Sequence, residues 1–479
     1  MLTRTLSSHD DRRVRLSYNS AGQMRWALLA QMAAVVAPSM GLVALGNAEL
    51  AARCFFALLG AVLGLRVLYK DPVGYAAILI GVSPALLLFR QVWLYSIVVL
   101  LFAAGLVLWF AIKPQEIAKL CKQYLLTAFV ILSFAYYWLS FMRSEDFSAL
   151  GIPIVIAPNS RMLELSFGAA MIVLLGSRRS YLRVAMTGIA VTVLLTALGL
   201  APHSGARLGQ AEIGTTSMGN PILIGLSSAL VVLMALANRG EGLVSGRMNF
   251  LRWPFLMIGT IVLVLSTSRG SWAVMLAGLA AMFAFAQRDR ARIAGALTAV
   301  VAVIALLAAS GLADPAIEYL NRVTSSERTL VQKTTGRFDQ WQKFPEVFAK
   351  APVWGHGPGS GNSAYEAISG RNLSWHSLYL HIGVETGLFG LFSLGTILGV
   401  LLVRGIRHAR LTGEVGPLMG CVCFATIGMS VTGFDAVSGI YLGYGFLGMN
   451  FAGMRVIRQR WRGTVVRMAP APIGAAVSR

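Results

Sequence analysis

Arg269 lies in VLVLSTSRGSWAVML, where only a few polar residues separate two apolar runs. A guanidinium at or just below a membrane interface loses hydration, and an anionic partner offsets that loss. Its planar fork matches a phosphate through two parallel hydrogen bonds, which an ammonium cannot reproduce. Without a ligand, the same residue reads as a snorkelling arginine or half of a structural ion pair. His376 follows Ser374 and Trp375 and opens another apolar helix. A side chain that titrates near neutrality fits there as a general base or hydrogen-bond partner, although an isolated histidine at such a place is more often an ordinary interfacial residue. Glu385 lies about two and a half turns further along. His381, five residues after His376, points elsewhere and reads as structural.

Polar chemistry gathers around these residues. The segment TTGRFDQWQKFPEVFAKAPVWGHGPGSG leads into WHSLYLHIGVETGLFG, and on the same face fall Arg143, Arg161, Arg207, Arg322, Arg328, Arg337 and Arg371 with His203 and His356. Arg207, Arg143 and Arg161 can extend an anion site, although each alone reads as a rim residue. The carboxylates Asp314, Glu318, Asp339 and Glu366 are scattered, and no H-E-x-x-H, paired aspartate motif or Cys/His cluster supplies a metal site. The site therefore reads as basic, with no metal and no cofactor. The turn VWGHGPGSG lacks the GxxxxGK[ST] pattern of a phosphate loop and reads as a device for positioning His376.

Positioning these residues is a task for membrane helices. The chain is 56% hydrophobic and 13% charged, with a mean hydropathy of +0.68. Apolar runs of about 20 residues recur along it, which excludes a soluble globular domain. Runs such as IVVLLFAAGLVLWFAI are apolar on all sides and lack the alternation of a β-barrel. The expected fold is all-α, a polytopic bundle of about 12–14 transmembrane helices with candidate spans between 25 and 456. Residues 1–312 form its N-terminal transmembrane part, 313–375 a long external helical loop, 376–457 the C-terminal helices and 458–479 a basic tail.

The net charge of +21 does not point to nucleic acid, because the basic residues fall in alternate loops. Arg12, Arg13, Lys113, Lys119, Arg178, Arg179, Arg288, Arg290, Arg404 and Arg407 lie on one side, the cytoplasmic one by the positive-inside rule. Both termini are then cytoplasmic, and 313–375 lies outside with the polar site. The first apolar run is long enough to span and lacks a small-x-small cleavage site, so it reads as a helix and not a leader. Within the loop, RFDQWQKFPEVFAKA places Phe338, Trp341, Phe344 and Phe348 at helical spacing, the pattern of a helix lying on the interface. Cys54, Cys121, Cys421 and Cys423 have no metal or disulfide spacing and read as inert buried thiols.

The motifs in order, GRFDQW, AKAPVWGHGPGS and HSLYLHIGVETGLFG, with STSRG upstream, resemble the O-antigen ligase and O-antigen polymerase superfamily. In that pattern an Arg-x-x-x-Trp helix, a Pro-x-x-Gly-x-Gly turn and a His-Asn-like helix start precede Glu-x-Gly-x-x-Gly; here Ser377 stands where asparagine is commoner. The resemblance is specific over about 265–390 and implies a GT-C-type membrane glycosyltransferase of the bacterial inner membrane. Its donor would be a glycan on undecaprenyl diphosphate at the periplasmic face, transferred with inversion and without a metal. Arg269 and Arg337 would hold the diphosphate and His376 would orient or deprotonate the acceptor hydroxyl. Glu385 matches a family position that either serves the substrate site or fixes helix packing.

The residues do not separate a ligase acting on lipid A-core from a polymerase acting on a lipid-linked glycan. A protein O-oligosaccharyltransferase uses the same donor chemistry; the absence of a further domain after the last span weighs against it. A transporter or flippase of lipid-linked sugars should show ionisable residues near the midplane, and Arg53 and Glu164 lie toward span ends instead. A scaffold subunit would not explain three motif residues in family order.

Overall fold

The computed structural model describes residues 5–86, 108, 111–112, 114–115, 179–200, 211–213, 216–218, 221–236, 252–285, 290–314, 317–318, 321, 337–357, 360–371, 375–413 and 415–429. The expected spans at 91–112, 122–142, 160–176 and 438–456 lie wholly or mostly outside these residues. So do Arg143, Arg161, Arg207, Cys121 and the segment 322–336.

The described chain is helical, with one short hairpin. Its elements are α1 (Thr5–Ala44), α2 (Ala48–Leu68), α3 (Pro72–Leu86), α4 (Arg179–Leu200), β1 (Ala211–Ile213), β2 (Thr216–Met218), α5 (Pro221–Leu236), α6 (Arg252–Leu265), α7 (Arg269–Phe285), α8 (Arg290–Ala309), α9 (Arg337–Lys350), α10 (Gly361–Ser369), α11 (Leu378–Thr412) and α12 (Gly416–Gly428). Strands β1 and β2 pair antiparallel, with Glu212 opposite Ser217.

Among the described residues four stretches are long and apolar enough to cross a membrane, Met24–Ala44, Ala48–Leu68, Tyr181–Gly199 and Leu378–Leu411, and shorter apolar helices accompany them. Such helices satisfy their own backbone groups, as a lipid environment requires. This is a multi-pass membrane protein.

Local chemistry fixes the helix ends. The Asn47 side chain accepts from the Leu50 amide at 3.1 Å, capping α2. At the start of α3, Asp71 Oδ1 takes the Gly74 amide at 3.0 Å, and Pro72 occupies the first helical position. Arg66, 7% exposed, joins that loop to α1: its Nη1 donates to Asp71 Oδ2 at 3.2 Å and its Nε to Gln31 Oε1 at 2.9 Å. The buried arginine thus has both a charge partner and a neutral acceptor, which offsets the cost of its desolvation.

Packing runs as a relay. Helices α1–α4 form one cluster around Leu28, Met32, Phe55, Leu59, Tyr75 and Ala185. From it, α5 packs on α6 and α7, α7 on α12, and α12 on α11, while α9 and α10 lie on α11. Thr192 Oγ1 donates to the Gly81 carbonyl at 2.8 Å, joining α4 to α3 inside the apolar core.

Two boundaries differ from the sequence expectation. The helix expected to open at His376 begins at Leu378, because Ser377 is extended, with φ −151° and ψ 128°. It then continues past 403 to Thr412, so Arg404, Arg407 and Arg410 ride on its last turns and not in a loop. Basic residues suit that carboxyl end of the helix dipole.

Candidate functional site

Arg269 is the first residue of α7 and is exposed. The turn before it is tightly specified. Thr267 adopts φ +51°, a left-handed conformation rare for a β-branched residue. Ser266, Thr267, Ser268 and Ser271 are all buried. Ser268 Oγ lies 3.4 Å from the Ser271 amide, the N-cap relation, and 2.7 Å from Ser271 Oγ. Ser271 Oγ also donates to the Ile222 carbonyl at 3.0 Å, which ties the turn to the start of α5. The serines of STSRGS thus build the shelf on which Arg269 stands, at a helix end whose amides favour negative charge.

Arg337 heads α9 and is half-buried. One turn along, Gln340 is 2% exposed, and its Oε1 accepts from the His376 amide at 3.1 Å. Residues three apart share a helix face, so the turn of α9 that begins with Arg337 lies beside His376. The His376 side chain is exposed while its neighbours Trp375 and Ser377 are buried. Trp375 Nε1 donates to the Gly361 carbonyl at 2.7 Å, and its ring meets Tyr365 and Phe344 edge-on at 5.1 Å and 6.0 Å. His376 is therefore presented outward from a fixed backbone.

Helix α12 packs on both α7 and α11. Ser377 Oγ donates to the Gly428 carbonyl at 3.3 Å, and Tyr379 Oη to that of Ala425 at 2.7 Å. Cys423 Sγ faces the Val274 carbonyl at 3.7 Å.

Glu385 has a different place. It is 1% exposed, and its Oε1 lies 2.9 Å from Nε2 of His381, itself 2% exposed. The i,i+4 spacing of His381 and Glu385 is the sequence signal for this contact.

Just beyond Glu385, α11 breaks. Gly387 has φ +65° and ψ −157°, outside any helix. The turn at 352–357, read as an aid to His376, docks on this break two turns lower. His356 and Gly357 donate their amides to the carbonyls of Val384 and Glu385 at 2.8 Å and 3.0 Å, and Leu388 donates to Pro352 at 2.8 Å. A Cβ on Gly355, φ +72°, would sit 2.3 Å from the Glu385 carbonyl carbon, and one on Gly387 would sit 2.4 Å from the Val353 oxygen. The Pro-x-x-Gly-x-Gly turn and the Glu-x-Gly segment are thus two halves of one backbone joint. His356 Nε2 lies 2.9 Å from the Val347 carbonyl, extending the joint to α9.

Helix α9 is present as expected, but its aromatic stripe is divided. Phe344 stacks on Phe348 at 5.3 Å and both are half-buried, whereas Phe338 and Trp341 are exposed. Asp339 Oδ2 accepts from Tyr365 Oη at 2.8 Å, and burial together with this bond pushes the Tyr365 phenol up to about 12. Cys421 and Cys423 are buried and Cys54 is half-buried, all as free thiols.

Residues 254–395 match the family model described as O-Antigen ligase. The matched segment contains Arg269, Arg337, His376 and Glu385, together with the turn and the helix break. Arg143, Arg161 and Arg207 lie outside it. No curated protein matches the chain.

Proposed function

We propose that this chain, a member of the O-antigen ligase/polymerase superfamily through residues 254–395, is an inverting glycosyltransferase of the bacterial inner membrane. It moves a glycan from undecaprenyl diphosphate to an acceptor hydroxyl at the periplasmic face, with both termini cytoplasmic. The observation that carries the reading is the bond from the His376 amide to Gln340, which sets His376 beside the turn headed by Arg337.

In the reaction the acceptor oxygen attacks the anomeric carbon of the donor sugar. The bond from that carbon to the phosphate oxygen breaks, and undecaprenyl diphosphate leaves with the electron pair. The acceptor proton passes toward His376, whose exposed imidazole orients the hydroxyl or accepts the proton. Negative charge grows on the leaving diphosphate, and the guanidinium forks of Arg269 and Arg337 stabilise it. Arg207, Arg143 and Arg161 extend this basic rim toward the phosphates or the glycan. The acceptor is lipid A-core in a ligase or a second lipid-linked glycan in a polymerase.

The test is transfer by purified protein, with EDTA present, from undecaprenyl-diphosphate glycan. Product on lipid A-core identifies a ligase, a ladder from donor alone a polymerase, and product on a serine-containing peptide a protein-modifying enzyme. Bound donor with no product on any acceptor contradicts the transferase reading and favours a lipid-linked sugar transporter. Activity that EDTA abolishes contradicts stabilisation by arginines alone.

A further inference from the structure

His381 and Glu385, buried together in the first turns of α11, have no role in the chemistry above. An acid and a base inside an apolar helix cost desolvation, which their mutual contact and further polar neighbours must offset. Their surroundings are specific. A Cβ on Gly361, the first residue of α10, would sit 3.0 Å from Cε1 and 3.1 Å from Nδ1 of His381, so α10 rests in close contact with that ring. The same glycine's carbonyl takes the Trp375 indole N–H at 2.7 Å. The His381 amide donates to the carbonyl of Ser377, the residue after His376, at 3.0 Å. At the other end, the Glu385 carbonyl receives the Gly357 amide at 3.0 Å, while its carboxylate lies 2.9 Å from His381 Nε2.

The pair therefore spans the interval between His376 and the helix break. We propose that His381 and Glu385 are positioning residues: their side-chain contact fixes the half-helix 378–386 against the turn at 352–357 and against α10. That contact sets where His376 meets the acceptor hydroxyl. The functional part rests on the glycosyl-transfer reading, whereas the contact and its effect on the turn do not.

The experiment uses the full-length protein in lipid nanodiscs with Glu385→Ala, Glu385→Gln, His381→Ala and His381→Gln. Steady-state transfer from undecaprenyl-diphosphate glycan is measured alongside hydrogen exchange at the His356 and Gly357 amides. Both alanine variants should lose at least tenfold in kcat with the donor KM within twofold of wild type, and exchange at the two amides should quicken at least tenfold. The glutamine variants, which keep a polar contact, should recover to within threefold of wild-type kcat. Alanine variants with wild-type turnover overturn the proposal. So does a loss in which KM worsens in step with kcat and glutamine rescues nothing, because that marks general damage to the fold. If wild-type protein transfers to no acceptor, the glycosyl-transfer reading fails by itself. The exchange measurement then decides the positioning claim: unchanged exchange in the alanine variants refutes it.

Discussion

Replacing Gly355 with alanine perturbs the joint between the turn and the broken helix at its closest approach. The added methyl would lie 2.3 Å from the Glu385 carbonyl carbon, 2.4 Å from its oxygen and 2.4 Å from the Thr386 nitrogen, all backbone atoms that cannot swing aside. Two costs combine. Holding a non-glycine residue in the left-handed region costs roughly 1–2 kcal/mol, and forcing a methyl into a packed contact costs roughly 1–3 kcal/mol. Their sum of ~2–5 kcal/mol shifts the docked state against the undocked one by about 30-fold to several thousand-fold, at tenfold per ~1.4 kcal/mol. That is smaller than the stability of a typical fold, ~5–15 kcal/mol, so the turn should undock while the bundle stays folded. Gly370→Ala is the control: this glycine also has positive φ, at +67°, but nothing lies within 4 Å of its Cβ position. It should therefore bear only the conformational cost. Hydrogen exchange reads the difference, because the His356 and Gly357 amides are protected by docking. Gly355→Ala should speed their exchange at least 30-fold and sharply reduce glycan transfer, with Gly370→Ala near wild type in both. Equal exchange in the two variants would refute the steric reasoning.

Gln340→Ala removes the acceptor for the His376 amide. A net hydrogen bond of about 1 kcal/mol predicts a several-fold fall in kcat with donor binding unchanged, measured by steady-state kinetics and donor titration. Tyr365→Phe deletes the bond to Asp339 and should lower thermal stability by about 1 kcal/mol near pH 7. Its pH dependence has a definite sign. The phenol is raised from 10.0 to about 12, so its contribution is complete below pH 10 and lost as the pH rises from 10 toward 12. Thermal melts of wild type and Tyr365→Phe should differ by a constant amount between pH 7 and 9 and converge above pH 10.

The helical membrane architecture was legible in the chain because apolar runs of spanning length admit few other solutions. Local signals also read correctly where the physics is local: RFDQWQKFPEVFAK forms α9, and STSRG ends one helix and starts the next. The break at Gly387 was not legible. Gly387 in VETGLFGLF is compatible with a continuous helix, and only the docked turn, which supplies donors for the freed carbonyls, selects the broken form. The bonds from His376 to Gln340 and from Trp375 to Gly361 join segments distant in sequence, and no periodicity encodes them. The pairing of His381 with Glu385 is written in its i,i+4 spacing, but spacing alone does not encode the burial of both side chains. Two three-residue strands at 211–218 fall below the length at which alternation is informative.

The central claim is that Arg269 and Arg337 hold the diphosphate while His376 acts on the acceptor. Binding of undecaprenyl diphosphate to purified wild-type, Arg269→Ala, Arg337→Ala and His376→Ala proteins tests it most directly. Losing charge-assisted hydrogen bonds worth ~1.5–3 kcal/mol weakens binding roughly 10- to 150-fold. Each arginine variant should show that loss, and His376→Ala should bind like wild type while transferring no glycan. Wild-type affinity in both arginine variants would contradict the account.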